Sequence, residues 1–353
     1  MHISSIRIEN FRNLGEVSLR THPKLNYFQG ANGAGKTSLL EAVVVLARGK
    51  SFRTVSAEEL YGAETGVFRI FLEAEYAKRS RKMGLERQGK QWRARLDGSD
   101  VPFLSVLSRH LPLVLMEPNS HLLISGSPDV RRRFLDAGVF HVEPGFLEIW
   151  RRYSRVLKQR NAALRSRQIR VLDSLDEVFA ELGEALHELR SAYFKKLDKE
   201  FDRENPLRQT ASLESVELGY DPGWKNGPLI DVLKTARKRD LERGVSSHGP
   251  HRADLLITRE KRLVRTYLSR GEQKGLAALL LLTQAHMLAA LGEKPLVLLD
   301  DLASEFDQTH FNSVLQAALA VAGQVWITGT TKPDLQEAHK MFHVEHGAVQ
   351  EMV

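Results

Sequence analysis

The sequence of 353 residues contains no cysteine, which excludes a disulfide framework and a thiolate metal site. Long apolar runs are absent as well: the longest, Leu276 to Leu282, is far shorter than the roughly 20 residues that span a bilayer. The first residues hold no apolar stretch of signal-peptide length, and we find no internal repeat or low-complexity tract. These absences predict a globular, cytoplasmic chain without a membrane segment.

Basic residues outnumber acidic residues in this chain. Lysine and arginine total 51 against 44 aspartates and glutamates, which gives a formal net charge of +7 and a pI near 9.5. The hydrophobic fraction of 42% is that of an ordinary globular protein, and the length allows one large core with a substantial insertion. The basic excess therefore favours a polyanionic partner, nucleic acid above all.

The pattern of apolar residues changes twice along the chain. Short alternating segments near the N-terminus and across 66–97 predict strands, the latter forming an antiparallel sheet. From about 128 to 240 the pattern is that of long helices. An apolar seam from Leu175 to Tyr193 follows a 3-4 spacing and predicts that this helix packs on the preceding one, 144–170, as a short antiparallel hairpin.

Strands and helices alternate again towards the C-terminus. We therefore predict an α/β fold in which the two ends of the chain form one domain and the helices form an inserted lobe. The predicted boundaries place the first half of the α/β domain at 1–115, the helical lobe at 116–245 and the second half at 246–353.

The stretch GANGAGKTS follows a predicted strand and opens a predicted helix, as the phosphate-binding loop G-x-x-x-x-G-K-[ST] requires. Its glycines allow backbone N–H groups to turn towards phosphate, and the helix N-terminus adds positive potential. Lys36 is expected to reach the β- and γ-phosphates of ATP and to act in catalysis, and Thr37 to hold Mg²⁺. The predicted nucleotide-binding residues are Gly30, Ala31, Asn32, Gly33, Ala34, Gly35, Lys36, Thr37 and Ser38.

Two adjacent acids end the apolar stretch PLVLLDD. A buried strand that delivers a carboxylate at its C-terminal tip is how a phosphate-loop fold places the acid beside Mg²⁺. We assign that position to Asp300. Asp301 is expected to orient or deprotonate the attacking water, and it is the predicted catalytic acid.

Leu268 to Glu272, LSRGE, resemble the signature motif of ABC-type ATPases, and Ser304 to Asp307, SEFD, resemble their D-loop. The resemblance narrows to the RecF family of bacterial recombination mediators and extends along nearly the whole chain. It is carried, in chain order, by ENFRNL, GANGAGKTS, GKSFRT, EPNSHLLISGSPDVRRRFLD, LKQRNAALR, GPHRADL, YLSRGEQK and LLDDLASEFD. Three residues depart from the pattern: Asn119 stands where an acid is expected, Glu272 where glutamine is common and Phe306 where leucine is usual.

The resemblance implies a fold, a cofactor and a dimer. The fold is an ABC-type P-loop ATPase head with an antiparallel β subdomain and the inserted helical lobe. Two chains of this class enclose two ATP molecules, each bound with Mg²⁺, so neither site is complete in a monomer. The implied signature residues, which act on the ATP of the partner chain, are Ser269, Arg270, Gly271 and Glu272, and the D-loop residues are Ser304 and Asp307.

The resemblance also implies partners. Members of the family bind duplex DNA next to single-stranded gaps and work with RecR and RecO to load RecA. Their ATP hydrolysis is slow, is stimulated by DNA and resets the clamp. We therefore expect double-stranded and gapped DNA, RecR with RecO, and indirectly RecA, as partners of an ATP-dependent homodimer.

DNA contacts are expected along the run from Arg151 to Arg170, which holds eight lysines and arginines and no acid. Phosphate contacts need several cations on one face and no base-reading code. A solvated face is the alternative explanation of such a run. The candidate DNA-contacting residues are Arg151, Arg152, Arg155, Lys158 and Arg165.

Two rival functions remain open at this stage. The ATPase subunit of an ABC transporter would share the P-loop and signature, but it should carry a histidine after the strand QVWITG, where this chain has Thr330 and Thr331. A non-hydrolysing clamp would use ATP only as a structural ligand. Asp301 replaces the usual glutamate and is one methylene shorter, which makes slow turnover plausible because water alignment depends on sub-ångström placement.

Overall fold

The computed structural model describes residues 1–62, 66–76, 79–203, 208, 213, 215–292, 294–331, 335 and 337–352. The chain forms two compact units. The first unit contains Met1–Ser120 and Ala278–Val353, and the second contains His121–Ala277. The lobe boundaries at 115/116 and 245/246 stay a prediction.

The elements are numbered in chain order. The strands are β1 (His2–Phe11), β2 (Leu14–Arg20), β3 (Leu25–Gln29), β4 (Val67–Tyr76), β5 (Arg79–Gln88), β6 (Gln91–Leu96), β7 (Ser99–Val101), β8 (Leu113–Met116), β9 (Val216–Asp221), β10 (Asp254–Arg259), β11 (Arg262–Leu263), β12 (Leu296–Leu299), β13 (Gln324–Gly329), β14 (Lys340–Glu345) and β15 (Ala348–Met352). The α-helices are α1 (Lys36–Arg48), α2 (Ser105–His110), α3 (Leu122–Ser125), α4 (Pro128–Val142), α5 (Phe146–Arg165), α6 (Ile169–Phe201), α7 (Leu229–Arg243), α8 (Arg270–Ala289), α9 (Leu302–Glu305) and α10 (Gln308–Val321).

The first unit is built around a six-stranded sheet with the order β15-β14-β3-β13-β12-β8. Strands β14, β3, β13, β12 and β8 run parallel, and only β15 is antiparallel to its neighbour. Every residue of β12 and β13 is buried, which explains their unbroken apolar sequences. Because the strands are parallel, the carboxyl ends of β3, β12, β13 and β8 meet at one edge of the sheet.

A second sheet in the first unit is antiparallel, with the order β2-β1-β4-β5-β6-β7. Its alternating residues, such as Ile6 opposite Leu72, bury one face in a core that also contains helix α1. Helix α1 is buried from Leu39 to Ala47, so the core fixes the helix that follows the phosphate loop. The predicted α/β fold and the antiparallel sheet across 66–97 are confirmed.

The second unit contains helices α3 to α7 and the antiparallel sheet β11-β10-β9. Helices α5 and α6 pack as the predicted hairpin, with Phe179, Leu186 and Tyr193 of the predicted seam almost fully buried. Helix α8 crosses the division between the units, so residues 270–277 belong to the second unit and 278–289 to the first. No helix in the described part of the chain is long and apolar enough to cross a bilayer.

Buried ion pairs join the helices of the second unit. The Arg160 side chain is fully buried; its Nε donates to Asp176 Oδ1 at 2.6 Å and its Nη1 to Asp240 Oδ2 at 2.8 Å. These bonds connect α5, α6 and α7. Breaking such a pair on one side costs about 3–5 kcal/mol, because it leaves a buried charge without compensation. Arg160, one of the cations in the run 151–170, therefore has a structural role in the second unit.

Candidate nucleotide site

The loop Gly30–Ser38 connects β3 to α1 at the carboxyl edge of the parallel sheet. Gly33 and Gly35 have φ angles of +82° and +118°, a region that L-residues with a side chain rarely adopt. At Gly30 a Cβ atom would lie 2.2 Å from the backbone oxygen of Val344. Each of these positions requires glycine, and a turn of this kind at the N-terminus of α1 suits the binding of an anion.

Lys36 lies at the first position of α1 and is only 6% exposed. Its Nζ donates to the backbone oxygens of Gly30 at 2.7 Å and Ala31 at 2.9 Å. Burial lowers the pKa of the Lys36 ammonium group, and the nearby carboxylates of Asp301 and Asp300 oppose this effect. The lysine is thus held inside the curve of the loop, where it can contact a bound phosphate.

Asp300 follows β12 and lies beside the loop. Its Oδ1 accepts hydrogen bonds from Thr37 Oγ1 at 3.0 Å and Thr328 Oγ1 at 2.8 Å. Burial is the main cause that raises the pKa of the Asp300 carboxyl. A hydroxyl and a carboxylate in contact are hard oxygen ligands of the kind that Mg²⁺ takes, and the ion usually completes its shell with phosphate oxygens and water. Among the described residues no cluster of three or more acids or histidines offers another metal site.

Asp301 is the N-cap residue of the short helix α9 and has a φ angle of +51°. Its N–H donates to Thr328 Oγ1 at 2.8 Å, and its Oδ2 accepts from Ser304 Oγ at 2.9 Å. Thr328 at the end of β13 therefore holds both acids in place.

The predicted D-loop residues have local structural partners. Ser304 bonds to Asp301, as described above. Asp307 is the N-cap of α10, where its Oδ1 accepts from the His310 N–H at 2.9 Å. The cap accounts for this residue within one chain, and a role in a dimer stays a prediction.

The loop opens on a cavity of about 620 Å³, a size that suits a small-molecule ligand. Seven residues of the predicted site line it: Asn32, Gly33, Gly35, Lys36, Thr37, Ser38 and Asp301. Five further lining residues were not assigned from the sequence: Arg12, Asn13, Arg53, Glu59 and Tyr61.

The motif ENFRN supplies two of these missed residues. Asn13 Nδ2 donates to the Gly33 oxygen at 3.1 Å, and its Oδ1 accepts from Ser38 Oγ at 2.8 Å, so it braces the phosphate loop. Arg12 donates to the fully buried Glu41 of α1 at 3.0 and 2.7 Å. The motif was noted in the sequence only as part of the family resemblance, and its spatial role depends on a contact 20 residues or more away.

Glu117, directly after β8, is another residue that the sequence did not single out. Burial, with a contribution from the Asp300 charge, raises the pKa of its carboxyl to about 7, although Arg48 and Arg53 oppose the shift. The acid that the family pattern places at 119 is absent, and Asn119 is exposed. Glu117 is thus a second carboxyl group, besides Asp301, whose charge interacts with that of Asp300.

The signature residues lie in the second unit, at the start of α8. Ser269 and Glu272 bond to each other, and Gly271 has no atom within 4 Å of the position that a Cβ would take. The candidate DNA-contacting residues lie on α5 of the same unit, and all are exposed: Arg151, Arg152, Arg155, Lys158 and Arg165.

A family model, curated relatives and solved structures each match nearly the whole chain. The family described as RecF/RecN/SMC N terminal domain matches residues 2–351. The chain is 42% identical over 364 aligned positions to the DNA replication and repair protein RecF of Xanthomonas euvesicatoria pv. vesicatoria (strain 85-10), with 99% of this chain and 98% of the relative covered. A solved structure of the recombination mediator protein RecF-ATP in the RecFOR pathway covers 100% of this chain and 98% of its own, with a TM-score of 0.88 and 27% identity.

A similar fold also occurs in a more distant protein. The SmcHead bound to the C-winged helix domain of ScpA matches with a TM-score of 0.57 and 13% identity over 100% of this chain and 97% of that one, a likeness of fold alone. Because the chain is related to RecF proteins along its full length, the alternative that it is the ATPase subunit of an ABC transporter is excluded. With its phosphate loop, its carboxylate strand and these relatives, the chain belongs to the RecF family of DNA replication and repair proteins.

Proposed function

We propose that the protein is an ATP-dependent DNA-binding protein of recombinational repair that dimerises around ATP. The single observation that carries the proposal is one cavity lined by Lys36, Thr37 and Asp301, in which Thr37 bonds directly to Asp300. Relatives of the same family support the nature of the ligand, because one was solved as RecF-ATP.

Each residue of the site has a role in this proposal. The loop amides and Lys36 bind the β- and γ-phosphates, while Thr37 and Asp300 hold Mg²⁺. Bound there, the ion would neutralise charge on the phosphate oxygens. Asp301 orients the attacking water or accepts its proton, and Ser304 and Thr328 fix its position. The resulting ATPase is slow, is stimulated by DNA and acts as a switch.

The second half of each ATP site comes from a second copy of the chain. Ser269 and the amides of Arg270 and Gly271 stand at the start of a 20-residue helix, where donors and helix dipole favour an anion. We propose that they contact the γ-phosphate held by the other chain, with Ser304 and Asp307 of the D-loop at the same interface. Dimerisation then depends on ATP.

DNA binds, in this proposal, along the exposed cations of α5. Arg151, Arg155, Lys158 and Arg165 are spaced 4, 3 and 7 residues apart, which places them on one stripe of the helix. Duplex DNA next to a single-stranded gap is the proposed target. RecR with RecO, and RecA through them, are the proposed protein partners, and the cytoplasm is the proposed compartment.

The test is binding to a fluorescent gapped duplex, with and without Mg·ATP, for the wild type and Ser269→Arg. We expect ATP to tighten wild-type binding cooperatively, and Ser269→Arg to lose only that gain. Ser99→Arg on the exposed edge strand β7 adds the same charge elsewhere and should keep the gain. If ATP leaves wild-type binding unchanged, the ATP-closed dimer is wrong for this protein.

A further inference from the structure

The start of α8 is closed by a reciprocal pair of hydrogen bonds. Oε2 of Glu272 accepts from the Ser269 N–H at 2.9 Å and from Ser269 Oγ at 2.8 Å. The Glu272 N–H in turn lies 3.3 Å from Ser269 Oγ and donates to it. This is a capping box. Its consequence is that the hydroxyl donor of Ser269 already bonds to an anion of its own chain.

Glu272 also has a cationic partner. Its Oε1 lies 3.5 Å from Nη1 of Arg259, the last residue of β10. The Arg259 side chain is largely buried. The bonds from Ser269, and then the charge of Arg259, hold the pKa of the Glu272 carboxyl below its usual value. The carboxylate is therefore ionised at neutral pH and lies at the proposed γ-phosphate contact.

The negative charge of Glu272 is not required to close the box. Glutamine serves in the same position of a capping box, because its side-chain oxygen accepts the same two hydrogen bonds. A carboxylate differs from the amide in one respect that matters to a phosphate: it repels the incoming charge.

We propose that Glu272 is a positioning residue that competes with the γ-phosphate for the hydroxyl of Ser269, and that Arg259 sets the strength of this competition. The inference rests on the proposed contact of Ser269 with ATP in a second chain. When phosphate takes the hydroxyl, the carboxylate turns to Arg259, whose 3.5 Å separation from Oε1 can shorten to an ordinary hydrogen bond. Association of two chains thereby requires more ATP than it would with glutamine.

The experiment is sedimentation velocity of the full chain over a range of Mg·ATP concentrations. We expect Glu272→Gln to lower the ATP concentration at half-dimerisation about two- to fivefold, the effect of one partly screened charge pair. Arg259→Gln should raise it by a similar factor, and the double variant should match Glu272→Gln. Glu242→Gln on α7, which removes an exposed carboxylate, is the matched control and should match the wild type.

The outcomes separate the inference from the proposed function. Thermal melts establish that each variant folds, and a merely structural role of Glu272 predicts no gain in dimerisation for Glu272→Gln. If the wild type dimerises with ATP, Ser269→Arg does not, and Glu272→Gln matches the wild type, the inference is overturned while the proposed function stands. If the wild type does not dimerise with ATP, both are overturned.

Discussion

Two neighbouring carboxylates, Asp300 and Asp301, occupy different environments in this protein. Asp300 is buried and accepts from two threonine hydroxyls, which suits a fixed ligand of a cation. Asp301 lines the cavity and has a left-handed backbone, with its carboxylate bonded only to the exposed Ser304 among the described partners. The division of roles that we propose for the two acids therefore rests on their burial.

Replacing Asp301 with asparagine should abolish ATP turnover and leave ATP-bound dimers long-lived. Asparagine keeps the shape and tolerates the φ angle of +51°, but it cannot accept a proton from water. Phosphate release and dimer lifetime, measured on the same sample, check the outcome. An unchanged rate would remove Asp301 from catalysis.

His251 gives the second unit a pH-dependent stability. Its Nδ1 lies 2.7 Å from the Tyr153 hydroxyl and its Nε2 lies 3.0 Å from the Ser246 oxygen. Because that oxygen only accepts, Nε2 carries the proton and Tyr153 donates to Nδ1. Burial, reinforced by the charges of nearby arginines, lowers the pKa of the His251 imidazole from 6.5 to about 4.

The unfolded chain binds a proton at His251 below pH 6.5 and the folded chain does not until about pH 4. Stability is therefore lost as the pH falls through this window, by about 3 kcal/mol in total. We expect His251→Gln to reduce the dependence of the unfolding free energy on pH between 6.5 and 4, measured by urea denaturation. The exposed His346→Gln is the control, and an equal slope in all three proteins would contradict the assignment.

At the scale of elements, folding of the single chain does not require the glycine at the start of α8, Gly271. A Cβ atom at Gly271 would meet no atom within 4 Å in the single chain. Alanine in place of glycine in a helix stabilises it by about 0.5–1 kcal/mol. A glycine that folding does not require is explained if another chain approaches the backbone there.

Gly271→Ala should leave the melting temperature unchanged or raised, and it should weaken ATP-dependent dimerisation. Gly145→Ala at the N-cap of α5 is the matched control, since a Cβ there also meets no atom within 4 Å. Calorimetry and sedimentation with Mg·ATP measure the two properties. Full dimerisation of Gly271→Ala would show that no partner backbone lies close to this position.

For the whole molecule, the net charge of +7 favours DNA, but its distribution decides where phosphate binds. Replacing Arg155, Lys158 and Arg165 together with glutamine should weaken binding and flatten its salt dependence. Each lost phosphate contact reduces the slope of log K against log salt by about 0.9. Replacing Lys195, Lys199 and Lys234, which are also exposed, removes the same charge from other helices and should leave the slope nearly unchanged. Equal slopes for both triple variants would exclude the α5 stripe.

The sequence by itself determined the parts of this protein whose residues are contiguous. The phosphate loop depends on nine neighbouring residues and their local backbone, and the buried strands β12 and β13 are unbroken apolar runs, so motif and fold could both be predicted. The box between Ser269 and Glu272 is equally local, as an S-x-x-E pattern, although its reciprocal bonds were recognised only in the structure.

Tertiary structure alone decided which distant residues share an environment. Arg12 meets Glu41, Glu117 interacts with Asp300, and Arg160 is buried between two aspartates although its neighbours in the basic run are exposed. Composition and spacing cannot distinguish a structural arginine from one that contacts phosphate, because both have the same charge. The difference is burial, which is set by chain segments up to 86 residues apart that pack around the side chain.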